Sequence, residues 1–90
     1  MTQTIEISSE VLTQEVGGET VILDLKSETY FGLDEVGTRI WQLLVKQEDI
    51  QTITATMLSE YDVDEGQVEK DIQNLLVKLD EAGLIHLNSD

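Results

Sequence analysis

The chain has no cysteine and no proline, and only five of its 90 residues are Lys or Arg. Without cysteine there is no disulfide framework, no thiol nucleophile and no cysteine-based metal site. Without proline nothing marks a stiff linker, and a chain of this length forms one domain with one modest core. Five scattered cations cannot build the footprint that displaces counterions from duplex DNA or holds a protein on anionic lipid. No stretch approaches the roughly 20 apolar residues of a membrane helix. Met1 to Glu10 carry neither a basic patch nor an apolar run, so no secretory signal is expected and the cytoplasm is the expected location.

What is abundant is acid: 19 Asp and Glu give a formal net charge of −14. Such a surface favours solubility and repels nucleic acid. Partners are then neutral or basic, or are held through backbone and apolar contacts. The composition is 40% apolar, enough to fold. A domain this small buries only a little over ~60% of its unfolded surface, so a deep catalytic pocket would compete with packing.

Hydrophobic period divides the chain in two. Met1 to Ser9 reads as a polar lead-in in which Ile5 and Ile7 alternate weakly. Val11 to Val16 reads as a short strand, and Gly17-Gly18 as a tight hairpin turn that tolerates positive φ. From Thr20 to Leu25 the period is two, with Val21, Leu23 and Leu25 on one face and Thr20, Ile22 and Asp24 on the other. Lys26-Ser27-Glu28 makes a second turn, and Thr29 to Leu33 a third strand. The period then becomes helical. Asp34 caps a first helix with Val36, Ile40, Leu43 and Leu44 on one face and Trp41 beside them. Asp49 caps a second, whose buried side is Ile50, Ile53, Met57, Leu58 and Tyr61. Asp64 and Gln67 form a capping-box pair for a third, with Val68, Ile72, Leu75, Leu76 and Leu79 inside and Gly83 ending it. Leu84, Ile85 and Leu87 form an apolar tail that packs back on the helices. Strands followed by helices indicate α+β. The expected fold is a winged helix-turn-helix-like domain: a three-stranded antiparallel sheet, then three helices. Its expected division is a polar N-terminal arm over 1–10 and a single domain over 11–88.

No residue set for catalysis or metal binding emerges. His86, the sole histidine, has no Ser or Cys constellation. Asp62, Asp64 and Gly66 superficially resemble a calcium loop, but the glycine is one position early and Gln73 stands where the closing Glu belongs. Three other classes of function fit the architecture to different degrees. A winged-helix DNA-binding regulator needs cations at the start of the third helix, where Asp64, Glu65, Glu69 and Asp71 stand instead. A small enzyme lacks any nucleophile, metal or phosphate-loop signal. A structural dimer would pair an exposed sheet edge with its own copy.

The junction Gly18-Glu19-Thr20-Val21-Ile22-Leu23-Asp24, then Tyr30-Phe31-Gly32-Leu33-Asp34-Glu35-Val36-Gly37-Thr38-Arg39-Ile40-Trp41-Gln42-Leu43-Leu44, resembles the PqqD-like family. These are the peptide chaperones of pyrroloquinoline quinone synthesis, and their fold is also the recognition element of many ribosomally made, modified peptides. The run Gly37-x-x-Ile40-Trp41-x-Leu43-Leu44 is the most specific part, and Gly83-Leu84-Ile85 matches the family's closing motif. Leu58 to Tyr61 matches with shortened spacing. Two positions depart: Asp34 replaces the usual Asn, keeping a capping oxygen, and Glu28 replaces a common turn Gly. If that turn needs positive φ, Glu costs roughly 1–2 kcal/mol.

The resemblance implies a protein that is not an enzyme and needs no cofactor or metal. It implies binding of a precursor-peptide leader by strand addition to the strand 29–33 edge, beside the third helix. The leader would then pass to a maturation enzyme, either a leader protease and cyclase of lasso-peptide biosynthesis or a radical-SAM enzyme; no nucleic acid or membrane partner is implied. Independently of the resemblance, Thr29, Tyr30, Phe31, Gly32 and Leu33 end the meander and carry no Lys or Pro to block pairing. For these residues a core role competes with a groove role. On the third helix, Lys70, Asn74 and Lys78 recur at i, i+4 and i+8 away from the core stripe, with Val77 nearby. As a set they would receive an acidic, partly apolar peptide; solvation and pairing with nearby acids is the plainer alternative.

Overall fold

The computed structural model describes residues 3–89. Strands β1 (Gln3–Ile7), β2 (Val11–Val16), β3 (Glu19–Asp24) and β4 (Thr29–Leu33) precede helices α1 (Glu35–Val45), α2 (Ile50–Glu60) and α3 (Glu65–Glu81), and β5 (Ile85–Ser89) follows. The expected meander forms an antiparallel sheet in the order β2-β3-β4. Gly17 and Gly18 join β2 to β3 at φ 60° and 86°, the left-handed pair that matches a two-residue hairpin to strand twist. Asp24 builds the next turn. It is buried, and its carboxylate accepts from the Lys26 N–H at 3.1 Å and the Ser27 hydroxyl at 2.9 Å. Glu28 closes that turn at φ 59°, so the strain expected of a side chain there is present.

The sheet buries the face bearing Thr20, Ile22 and Asp24 and turns Val21, Leu23 and Leu25 outward. Ile22 and Leu33 join the core with Ile40, Trp41, Leu43 and Leu44 of α1, Ile53 and Met57 of α2, and Val68, Ile72, Leu76 and Leu79 of α3. Ile50, Leu58, Tyr61 and Leu75 are only half-buried at its border. Val36, expected on the core face of α1, lies in the first turn of the helix and is exposed.

All three helices start on aspartate. Asp34 accepts from the Gly37 N–H at 2.8 Å, Asp49 from Thr52 at 2.7 Å and Asp64 from Gly66 at 3.1 Å. The capping box expected of Asp64 and Gln67 does not form, since Asp64 caps the Gly66 N–H and not that of Gln67. The Gln67 amide donates instead to Asp71 at 2.8 Å, one turn into the helix. At the other end of α3, Gly83 takes φ 77°, its N–H reaching the Asp80 carbonyl and that of Leu84 the Leu79 carbonyl, each at 3.0 Å. This pattern satisfies the last carbonyls of the helix. It also turns Leu84 and Ile85 into the core.

Leu84, Ile85 and Leu87 pack on the core, as expected of the apolar tail, but the segment also forms a strand that was not expected. β1 and β5 pair as a separate two-stranded antiparallel sheet, with Ile7 opposite Ile85 and Ile5 opposite Leu87. Ile5 and Ile7 pack against the core, so this part of the 1–10 segment belongs to the fold; Met1 and Thr2 lie outside the described residues.

Candidate functional site

β4 is an end strand of its sheet, and the register identifies which of its groups have no ladder partner among the described residues. The Leu25 N–H donates to the Glu10 carbonyl at 2.8 Å, on the β2 side of β3. Successive residues of an antiparallel strand address opposite neighbours. Thr20, Ile22 and Asp24 therefore face β4, where their partners are Leu33, Phe31 and Thr29. Tyr30 and Gly32 are left with N–H and C=O directed off the sheet. The register runs unbroken along β4 and no Lys or Pro guards it.

The side chains of β4 divide accordingly. Leu33 is buried and Phe31, half-buried, packs against the core. Tyr30 is 74% exposed on the opposite face. Gly32 has no positive φ, and a Cβ built there would meet nothing within 4 Å. The fold itself does not require a glycine at that position. Thr29 is exposed and shares a short hydroxyl contact with Ser27 at 2.6 Å in the Asp24 turn.

Beyond Leu33 the chain turns into α1 against a groove. A Cβ on Gly37 would stand 3.3 Å from Leu33 Cδ2 and 3.2 Å from Asp34 Oδ1, so the first turn of α1 sits tightly on the strand end. The groove encloses about 370 Å³ between Asp34, Val36, Gly37 and Ile40 on one side and Asp71, Asn74, Leu75 and Lys78 of α3 on the other. Val36, Ile40 and Asp71 also border a smaller apolar pit of about 70 Å³ that reaches Met57, Tyr61 and Val63. A separate cleft of about 430 Å³ lies between α2 and α3, with no residue of the β4–α1 junction in its lining.

Of the α3 residues singled out from sequence, the groove takes Asn74 and Lys78 but not Lys70 or Val77. The i, i+4, i+8 spacing drifts about 40° per step at ~100° per residue. Lys70 and Val77 consequently lie on the exposed face opposite the core. Asp71 and Leu75 complete the wall in their place, a stripe legible as i, i+3, i+4 and i+7 counted from Asp71. Gln67 steadies Asp71 from the preceding turn. Among the described residues the one ion pair joins Arg39 to Glu60 at 2.6 Å, fastening α1 to α2 away from the groove. The Arg39 hydrogen bonds hold the Glu60 carboxyl below its ordinary range. Among the described residues no ion pair engages Lys78.

The arrangement offers a backbone margin and a groove of mixed polarity with Lys78 in its wall, which suits an extended chain. No curated protein matches the sequence. Two solved structures do. One, described as TbiB1 in complex with the TbiA(beta) leader peptide, is 38% identical, with a TM-score of 0.88 over 94% of this chain and 99% of that one. The other, described as lasso peptide synthetase B1 complexed with the leader peptide, is 25% identical, with a TM-score of 0.85 over 92% and 98%. The family model for coenzyme PQQ synthesis protein D (PqqD) matches residues 19–85, from β3 through all three helices to the start of β5, and the chain belongs to that family.

Proposed function

We propose that this protein binds the leader segment of a ribosomally made precursor peptide, of the lasso type, and presents it to a maturation enzyme without itself doing chemistry. The leader adds as a strand to β4, bonding to the backbone of Tyr30 and Gly32, while Asp71, Asn74, Leu75 and Lys78 choose among side chains entering the groove. Main-chain bonds supply affinity and the flanking pockets supply selectivity. The observation that carries this reading is the unpaired margin of β4 lying beside a groove walled by α3. Both solved structures described above were captured with a leader peptide, which supports the same occupant here. The expected setting is the cytoplasm, where such precursors are made.

A Gly32→Pro variant tests it. Proline deletes the outward N–H of an edge strand, a position where it is tolerated. Leader affinity, read by fluorescence anisotropy, is expected to fall about tenfold, near the ~1.4 kcal/mol of one lost hydrogen bond. Its Tm stays within a few degrees of the parent. Unchanged affinity in a folded variant contradicts strand addition at this margin.

A further inference from the structure

The outer face of the β2-β3-β4 sheet carries an apolar surface that strand addition leaves uncovered. Register sets Leu12, Leu23 and Tyr30 in one row across the three strands, and Gln14, Val21 and Gly32 in the next. Leu12 is 57% exposed, Val16 64%, Val21 40% and Leu25 47%, beside Tyr30 at 74%. Single exposed apolar residues are ordinary, but a contiguous set on one sheet face marks an interaction surface. The strand ends and turns around it carry exposed Glu10, Glu19 and Glu28 against the single Lys26.

Charge selects the occupant. Stacking this face on a second copy would bring together two chains of −14 each, an association opposed by self-repulsion. A partner with an apolar patch edged by Lys and Arg is complementary at both the centre and the rim. Continuity narrows it further. Tyr30 turns its backbone to the free margin and its side chain to the outer face. A strand added at β4 therefore widens this same face, setting its own outward side chains beside Tyr30 and over the bare Gly32.

We infer that the outer face of β2-β3-β4 docks the maturation protein that receives the peptide, through an apolar, basic-rimmed patch, and that the bound leader forms part of the docked surface. This rests on the leader-binding reading, and the two can be separated. Leu12→Ser with Val16→Ser alters only β2, two strands from the peptide margin, at exposed positions whose loss leaves the core intact. Val21→Thr, which keeps strand propensity, serves as a second variant should the first fail to fold.

The purified enzyme that matures the same precursor is titrated against parent and variant chains, with and without leader. In the parent, leader is expected to tighten enzyme binding and added salt to weaken it. In the double variant, leader affinity stays within about twofold while enzyme affinity falls about tenfold or more, the scale of losing interface anchors. A parent chain that binds no leader defeats the functional proposal itself. Normal leader binding with enzyme affinity unchanged in the variants overturns the docking surface alone. So does a concentration-dependent dimer of the parent that the double substitution abolishes, since that would assign the face to a second copy.

Discussion

Glu28 holds a left-handed backbone conformation. Its place in the Asp24 turn demands φ 59°, a conformation that a side chain disfavours. Glu28→Gly is expected to stabilise the protein by about 1 kcal/mol, seen as a higher urea midpoint at unchanged m-value. Asp24 acts in the opposite sense. Its carboxylate is buried and holds both the Lys26 N–H and the Ser27 hydroxyl. Asp24→Ala should cost about 1 kcal/mol, because the turn loses two part-buried hydrogen bonds to its carboxylate. Two exposed carboxylates tie stability to pH. Asp49 is held below its ordinary value of 3.8 by the Thr52 N–H, and Glu60 below 4.5 by the Arg39 hydrogen bond. Depressed carboxyl pKa values mean stability that is complete above the ordinary values and lost as pH falls through the folded ones. Combining Asp49→Asn with Glu60→Gln should therefore flatten the loss of stability below about pH 4.5, followed by urea unfolding at stepped pH.

At the scale of elements, whatever is local was legible. Gly17-Gly18, the three aspartate caps and the apolar stripes of α1, α2 and α3 each follow from residues within a turn or two of one another. Two features were not. Period two shows that β3 has two faces but not which is inside, because Ile22 on one and Val21 and Leu23 on the other are equally apolar. The neighbouring Leu33 and α1 decide it. The flank of α3 likewise depends on where α1 lies, which is why periodicity alone reads Leu75 as core and Asp71 as a surface acid, and sets Lys70 and Val77 with the peptide-facing residues. The difference is measurable. Lys78→Glu should weaken leader binding and reduce its salt dependence, whereas Lys70→Glu, on the outward face, should leave affinity within about twofold. Equal effects from both would remove the groove as the source of selectivity.

For the molecule as a whole, topology and charge act together. The β1–β5 pairing joins residues from the two ends of the chain, and no turn signal announces a pairing of such sequence separation. Only Ile5 and Ile7, alternating faintly, hinted at a strand. The charge was plain from composition, and its consequence is general: a net −14 on 90 residues opposes the compact state. Raising NaCl from 10 mM, where the Debye length is about 30 Å, to near 0.5 M should raise Tm by several degrees through screening. No increase would mean that the carboxylates are dispersed enough to ignore one another.

The central claim is that the backbones of Tyr30 and Gly32 stand open to a guest strand. Amide hydrogen exchange, resolved by residue, tests it most directly. In the free protein these two N–H groups should exchange rapidly while Phe31, bonded into the ladder, is slow. Saturation with leader should slow Tyr30 and Gly32 together and leave Phe31 nearly as it was. Slow exchange at both positions before any peptide is added, or fast exchange that persists once the leader is bound, would contradict the account.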